Sequence, residues 1–130
     1  MRTPFLLSVG LATSLLAAIW VRGPGYMDAD YYMLTAEQLS LGKGLNEPVL
    51  WNYLDDPSQL PHPSHLYWLP LASFLAAGSM SLFGGSFRTA QIPFILIAAA
   101  LPLLAGRLAF QFTQDRDLAT QAGWLAAFSG

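Results

Sequence analysis

The stretch Gly25-Tyr26-Met27-Asp28-Ala29-Asp30-Tyr31-Tyr32 sets two carboxylates among three phenol rings, just after an apolar run that closes at Val21. A carboxylate at the edge of hydrocarbon, beneath aromatic rings, is partly desolvated and so a better proton acceptor than one in open water. Asp28 and Asp30 stand at i and i+2, which puts them on different helical faces. One is read as a base and the other as its support. A local reading competes with this: Asp28 or Asp30 caps the helix that follows, where Asp is favoured and its charge suits the positive end of the helix dipole.

A second group, Leu60-Pro61-His62-Pro63-Ser64-His65-Leu66-Tyr67-Trp68, holds both histidines of the chain. Prolines on either side stiffen the backbone at His62, so its ring can meet a phosphate with little entropy lost. The blander alternative makes His62 and His65 amphipathic residues of an interface that already contains Tyr67 and Trp68. Trp51-Asn52-Tyr53-Leu54-Asp55-Asp56-Pro57 is either a sugar-stacking surface or an Asp-Pro turn with two rings resting on lipid or on a neighbouring helix. Arg88, after Gly84 and Gly85, is either a snorkelling residue or an anion contact. For a metal, His62 and His65 stand three apart, and Asp28, Asp30, Glu47, Asp55 and Asp56 offer oxygens. No recognised ligand spacing joins them, so no metal ligand is assigned, although a divalent cation stays open. Neither a phosphate-cradling glycine fingerprint nor a serine elbow, a His-Glu-x-x-His motif or an acidic calcium loop is present.

The elements that must position these groups follow from composition. Of 130 residues, 54% are hydrophobic and only 11% charged, and the mean hydropathy is +0.42. Soluble domains carry about 25% charged residues, so the expectation is an all-α integral membrane protein. A net charge of -2 removes nucleic acid as a partner, and the lack of cysteine removes disulfides, thiolate metal sites and cysteine nucleophiles. Residues 4–21 are expected to cross the bilayer as one helix, since 18 residues at about 1.5 Å each approach the hydrocarbon thickness. A cleaved signal peptide is the rival, disfavoured because no small-x-small site precedes Trp20 and Val21.

Residues 22–65 form an acidic loop with six acidic and two basic residues, and eight of the nine Trp and Tyr residues fall between Trp20 and Trp68. Aromatic residues gather at membrane interfaces. Within the loop, Ala29 to Leu41 reads as an amphipathic helix with Tyr32, Ala36 and Leu39 on one stripe and Gly42 as its stop, followed by an irregular stretch rich in Gly and Pro. Residues 66–83 are long enough to span but are interrupted by Gly78, Ser79 and Ser81; residues 89–110 form a crossing helix despite Pro93 and Pro102; residues 118–130 begin a further one. If 66–83 lies in the outer interface, Arg2, Arg107 and Arg116 are cytoplasmic, which suits the positive-inside bias better than the arrangement in which 66–83 spans. The chain stops within an apolar run and reads as the N-terminal fragment of a longer, multi-pass protein.

This order of elements, with an acid soon after the first helix, His62-Pro63 before an apolar helix, and then Leu82-Phe83-Gly84 and Arg88 before a long helix, resembles the N-terminal part of the GT-C membrane glycosyltransferases. It is most similar to the protein O-mannosyltransferase and aminoarabinose transferase family. In that family an Asp-Glu pair opens the first external loop; Asp28 matches the Asp, Ala29 stands in place of the Glu, and Asp30 is a candidate to compensate. The family's His-Pro-Pro or Lys-Pro-Pro element is matched by His62-Pro63, with Ser64 in third place, and Pro61 stands where some members carry an acidic metal ligand. The likeness covers nearly all of this chain but only the first part of such an enzyme, which has many membrane helices and often a soluble domain.

What the resemblance implies is an inverting sugar transfer from a polyprenyl-phosphate donor to a lipid, glycan or protein acceptor in the cell envelope, on the non-cytoplasmic face of the inner (plasma) membrane. Asp28 would be catalytic. Asp30, Tyr31, Tyr32, Trp51, His62, His65 and Arg88 would support it or contact substrate, and the fragment alone would be inactive. Two other classes remain: a non-enzymatic membrane anchor or assembly subunit that binds a partner through its acidic loop, and a transporter. A transporter predicts charges at mid-span, where the sequence offers only Arg107, near a helix end.

Overall fold

The computed structural model describes residues 3–50 and 56–128, with side chains from Pro4 onward. Among these residues lie five helices: α1 (Thr3–Trp20), α2 (Met27–Ser40), α3 (Leu71–Phe83), α4 (Phe87–Thr113) and α5 (Arg116–Phe128). Two short strands, β1 (Asn46–Glu47) and β2 (His62–Pro63), pair antiparallel, with Asn46 opposite Pro63 and Glu47 opposite His62. The chain divides into two compact units, one of Met1–Val21 with Phe94–Gly130, the other Arg22–Pro93.

The expectation of several crossing helices is corrected. Among the described residues only α4 is long and apolar enough to cross a membrane; Pro4–Trp20 and Leu71–Phe83 are apolar but shorter. At about 1.5 Å per residue, α4 rises about 40 Å and α3 about 20 Å, against a hydrocarbon core of about 30 Å. Apolar composition alone makes 4–21 and 118–130 read as crossing segments, while 66–83, interrupted by Gly78, Ser79 and Ser81, reads as a helix at the outer interface. Helix ends separate them: α3 starts only after Pro70, and α5, described to Phe128, is 13 residues long and opens on Arg116-Asp117.

In the unit formed by the chain's two ends, α1 keeps its polar atoms to itself. Ser8, Thr13 and Ser14 donate their hydroxyls back to the carbonyls of Pro4, Val9 and Gly10, at 2.7 to 3.1 Å. Hydroxyls satisfied this way demand nothing of an apolar surrounding. Gly10 lets α1 approach α4 closely, since a Cβ there would lie 2.6 Å from the Ala99 carbonyl oxygen and 3.0 Å from Pro102 Cγ. Small residues at such crossings let backbones meet. Leu6 and Pro102 are fully buried, and Phe5 meets Trp124 edge-on at 5.7 Å between ring centres.

In the Arg22–Pro93 unit, α2 packs on α3 through an alanine-rich core of Ala36, Ala76, Ala77, Met80 and Ala90, with Met33 and Leu39 against it. Helix α2 begins at Met27, two residues before the predicted start; of the predicted stripe Ala36 is buried and Leu39 packs against the core, while Tyr31 and Thr35 are buried where Tyr32 is only half-buried. It stops where Gly42 takes φ +72°: the Gly42 amide donates to the Leu39 carbonyl and the Lys43 amide to the Gln38 carbonyl. This left-handed helix ending suits glycine, which has no Cβ to clash. Helix α4 opens on a reciprocal cap, with the Thr89 amide donating to Ser86 Oγ and the Ser86 amide to Thr89 Oγ1.

Candidate functional site

Asp28 and Asp30 lie in the first turn of α2, but neither caps it: the capping position is Tyr26, whose side chain makes no capping bond. The local reading of both aspartates as caps is therefore set aside. Their charges still face the positive end of the helix dipole. Asp28 is exposed and, with Tyr31, Tyr32 and Trp68, lines a cleft of about 60 Å³. Enclosing ligand pockets run to about 300 Å³ or more, so these residues form one wall for a ligand rather than a container. Asp30 is exposed and does not line the cleft.

That wall is held from behind by a knot of aromatic rings and hydrogen bonds. The Tyr31 ring meets those of Tyr32, His65 and Trp68 edge-on, with centres 5.8, 5.0 and 5.3 Å away. Its hydroxyl accepts from the His65 backbone amide. His65 itself sits at φ +59°, a left-handed conformation uncommon for a residue with a side chain. Its Nε2 lies 2.9 Å from Ser73 Oγ, and that hydroxyl donates to the Tyr32 carbonyl at 2.9 Å. With the serine proton so used, Nε2 carries the ring's proton and donates to Ser73 Oγ. Nδ1 faces the Trp68 carbonyl at 3.2 Å. In the neutral ring Nδ1 has no proton for that carbonyl, so the hydrogen bond to Ser73 is the one the ring makes, and protonation would add a second to Trp68.

Electrostatics follow from burial. Burial pushes the His65 pKa below its ordinary value, outweighing the Trp68 carbonyl, which favours the protonated ring. Burial also pushes the Tyr31 hydroxyl up; the His65 amide opposes this, and the charge of Glu47 adds to it. Asp56, exposed on the turn at Pro57–Gln59, is lowered because it accepts from the Ser58 hydroxyl, the Ser58 amide and the Gln59 side chain.

His62 occupies β2, where its Nδ1 lies 3.0 Å from Oε1 of Glu47 across the strand pair. The Glu47 side chain is buried and that of His62 mostly so. Sequence reasoning counted Glu47 only among available oxygens and missed this pairing; Ser73 and Trp68 were missed as neighbours of the site too. The one local signal was the extended bias that Pro48 and Pro63 impose on Glu47 and His62. Arg88 is exposed in the first turn of α4. Trp51 and Asp55 lie outside the described residues. Among the described residues, no three His, Asp or Glu side chains gather to hold a metal ion. Comparison with known protein families, curated proteins and solved structures finds no match to this chain.

Proposed function

We propose that the Asp28 cleft serves a glycosyltransferase that moves a sugar from a polyprenyl-phosphate donor to an acceptor hydroxyl at the non-cytoplasmic face of the inner membrane. The observation that carries the reading is an exposed carboxylate beside an aromatic wall whose rings are locked from behind. Support also comes from α4, of whose most apolar stretch only 17% is buried, unlike the core helix of a water-soluble domain. The resemblance to the protein O-mannosyltransferase and aminoarabinose transferase family gives the reaction class. A lipid-linked donor fits a site at an interface: the prenyl tail stays in hydrocarbon while the phosphosugar head reaches water.

In this reading the acceptor hydroxyl gives its proton to the Asp28 carboxylate as its oxygen attacks the anomeric carbon. The bond from that carbon to the phosphate oxygen breaks, and the lipid phosphate leaves with the electron pair, so the anomeric centre inverts. The leaving phosphate gains negative charge in the transition state, and the Arg88 guanidinium is the proposed donor to it. Tyr32 and Trp68 offer ring faces to the sugar. His62, tied to Glu47, holds together the strand pair that leads into His65.

The test is Asp28→Asn in the intact protein, assayed with a polyprenyl-phosphate sugar. A positioned base contributes about 10²–10⁴-fold, so transfer falls at least about 100-fold while membrane insertion is unchanged. Residues 1–130 contain no cysteine, so Ala29→Cys supplies the one label within this segment. A membrane-impermeant maleimide reaches it from the non-cytoplasmic side. Retained transfer by Asp28→Asn, or labelling from the cytosolic side alone, defeats the proposal.

A further inference from the structure

A second cavity, of about 330 Å³, lies between the last third of α4 and the first turn of α5, lined by Gly106, Arg107, Phe110, Gln111, Arg116 and Ala119. Its volume falls within the range of ligand pockets. Arg107 and Arg116 both line it, and neither is ion-paired among the described residues. Two acids flank Arg116: Asp115 Oδ1 accepts from the amides of Asp117 and Leu118 at 2.8 and 3.2 Å, capping α5, and Asp117, in the first turn of α5, makes no ion pair among the described residues. The rest of the lining is a glycine, an alanine, a glutamine amide and the exposed ring of Phe110. Two guanidinium groups beside an apolar wall suit an anion that carries a hydrocarbon chain.

The position agrees with that chemistry. Beyond Arg107, α4 carries Gln111 and the turn after it Gln114, so with α4 inserted in a bilayer the cavity would lie toward the headgroup layer. Arginine pairs bind phosphate oxygens in fixed, bidentate geometry, and neutral headgroups offer no net charge to hold. Charge is also apportioned suitably. The unit holding this cavity carries three basic and two acidic residues, against three basic and six acidic in the other.

We propose that the Arg107–Arg116 cavity binds the phosphate of an anionic membrane lipid, with the lipid chain against Phe110. This site is separate from the Asp28 cleft and does not depend on sugar transfer. The full chain, solubilised in a neutral detergent, is titrated with dihexanoyl-phosphatidylglycerol, dihexanoyl-phosphatidylcholine and inorganic phosphate, with the thermal midpoint as readout. Phosphatidylglycerol is expected to bind at least about tenfold tighter than phosphatidylcholine, because it keeps a net charge for the two guanidinium groups. It should also outbind inorganic phosphate, which lacks the chain. Arg107→Gln with Arg116→Gln removes the preference, and Arg107→Lys with Arg116→Lys retains part of it, since lysine keeps the charge without the fork. If the glutamine pair fails to fold, the lysine pair decides by its reduced preference. Equal binding of the two lipids, an undiminished preference in the variants, or inorganic phosphate binding as well as phosphatidylglycerol overturns the proposal.

Discussion

At the residue scale, His65 couples the shape of the site to pH. Its ring is tied to Ser73 through Nε2 and faces the Trp68 carbonyl through Nδ1, and burial holds its pKa below the ordinary value of 6.5. The unfolded chain therefore binds a proton more readily than the folded one. Stability from this residue is present above pH 6.5 and is lost as pH falls through the lower, folded value. Thermal midpoints measured from neutral to mildly acidic pH should fall for the wild type and fall less for His65→Gln; parallel curves would remove His65 as the cause. Much of this residue-level arrangement was illegible in sequence. Asp28 was singled out from its place after the first helix, but Tyr31 meets His65 across 34 positions, and Glu47 meets His62 only because two short strands pair. No local pattern encodes such partners.

At the scale of elements, the proline inside α4 shows how a helix tolerates a missing donor. Pro93 has no amide proton to give to the carbonyl of Thr89, four residues back. Ser79, on α3, donates its hydroxyl to that carbonyl at 2.6 Å and is itself buried. Ser79→Ala leaves the carbonyl unsatisfied in a buried place and should cost about 1–2 kcal/mol in thermal unfolding. In a Pro93→Ala background the new amide takes over, so the same substitution should cost less; an equal cost in both backgrounds would disprove the compensation. The sequence shows Pro93 and shows that a packed helix can carry it, but not which hydroxyl answers. Serines at positions 79 and 81 read as weakening an apolar run; the first of them ties α3 to the first turn of α4.

For the molecule as a whole, α4 is, among the described residues, the one helix long and apolar enough to cross a bilayer. Its exposed Leu101 and Leu104 lie mid-helix, and arginine at the centre of an inserted helix costs about 2.5–3.5 kcal/mol per residue. The wild type should stay with membranes after alkaline carbonate extraction, and Leu101→Arg with Leu104→Arg should be released into the supernatant. Retention of the double variant would place the anchor elsewhere. The two compact units differ in character: one is apolar, with Arg107 toward the end of α4 and Arg116 at the start of α5, the other acidic, aromatic and knotted about His65.

Composition and local signals determined that this chain is helical, apolar and anionic in its middle, and that a helix beginning close to Asp28 halts at Gly42. These depend on neighbours in sequence: side-chain entropy, dipole ends, and a glycine free to take positive φ. Tertiary structure decided which helices are long enough to cross a membrane, which face of α2 is buried, and that His65 and His62 are held by Ser73 and Glu47. Those outcomes depend on groups distant in sequence that satisfy one another only once the chain has packed, and a burial cost is assigned only when the partner is in place.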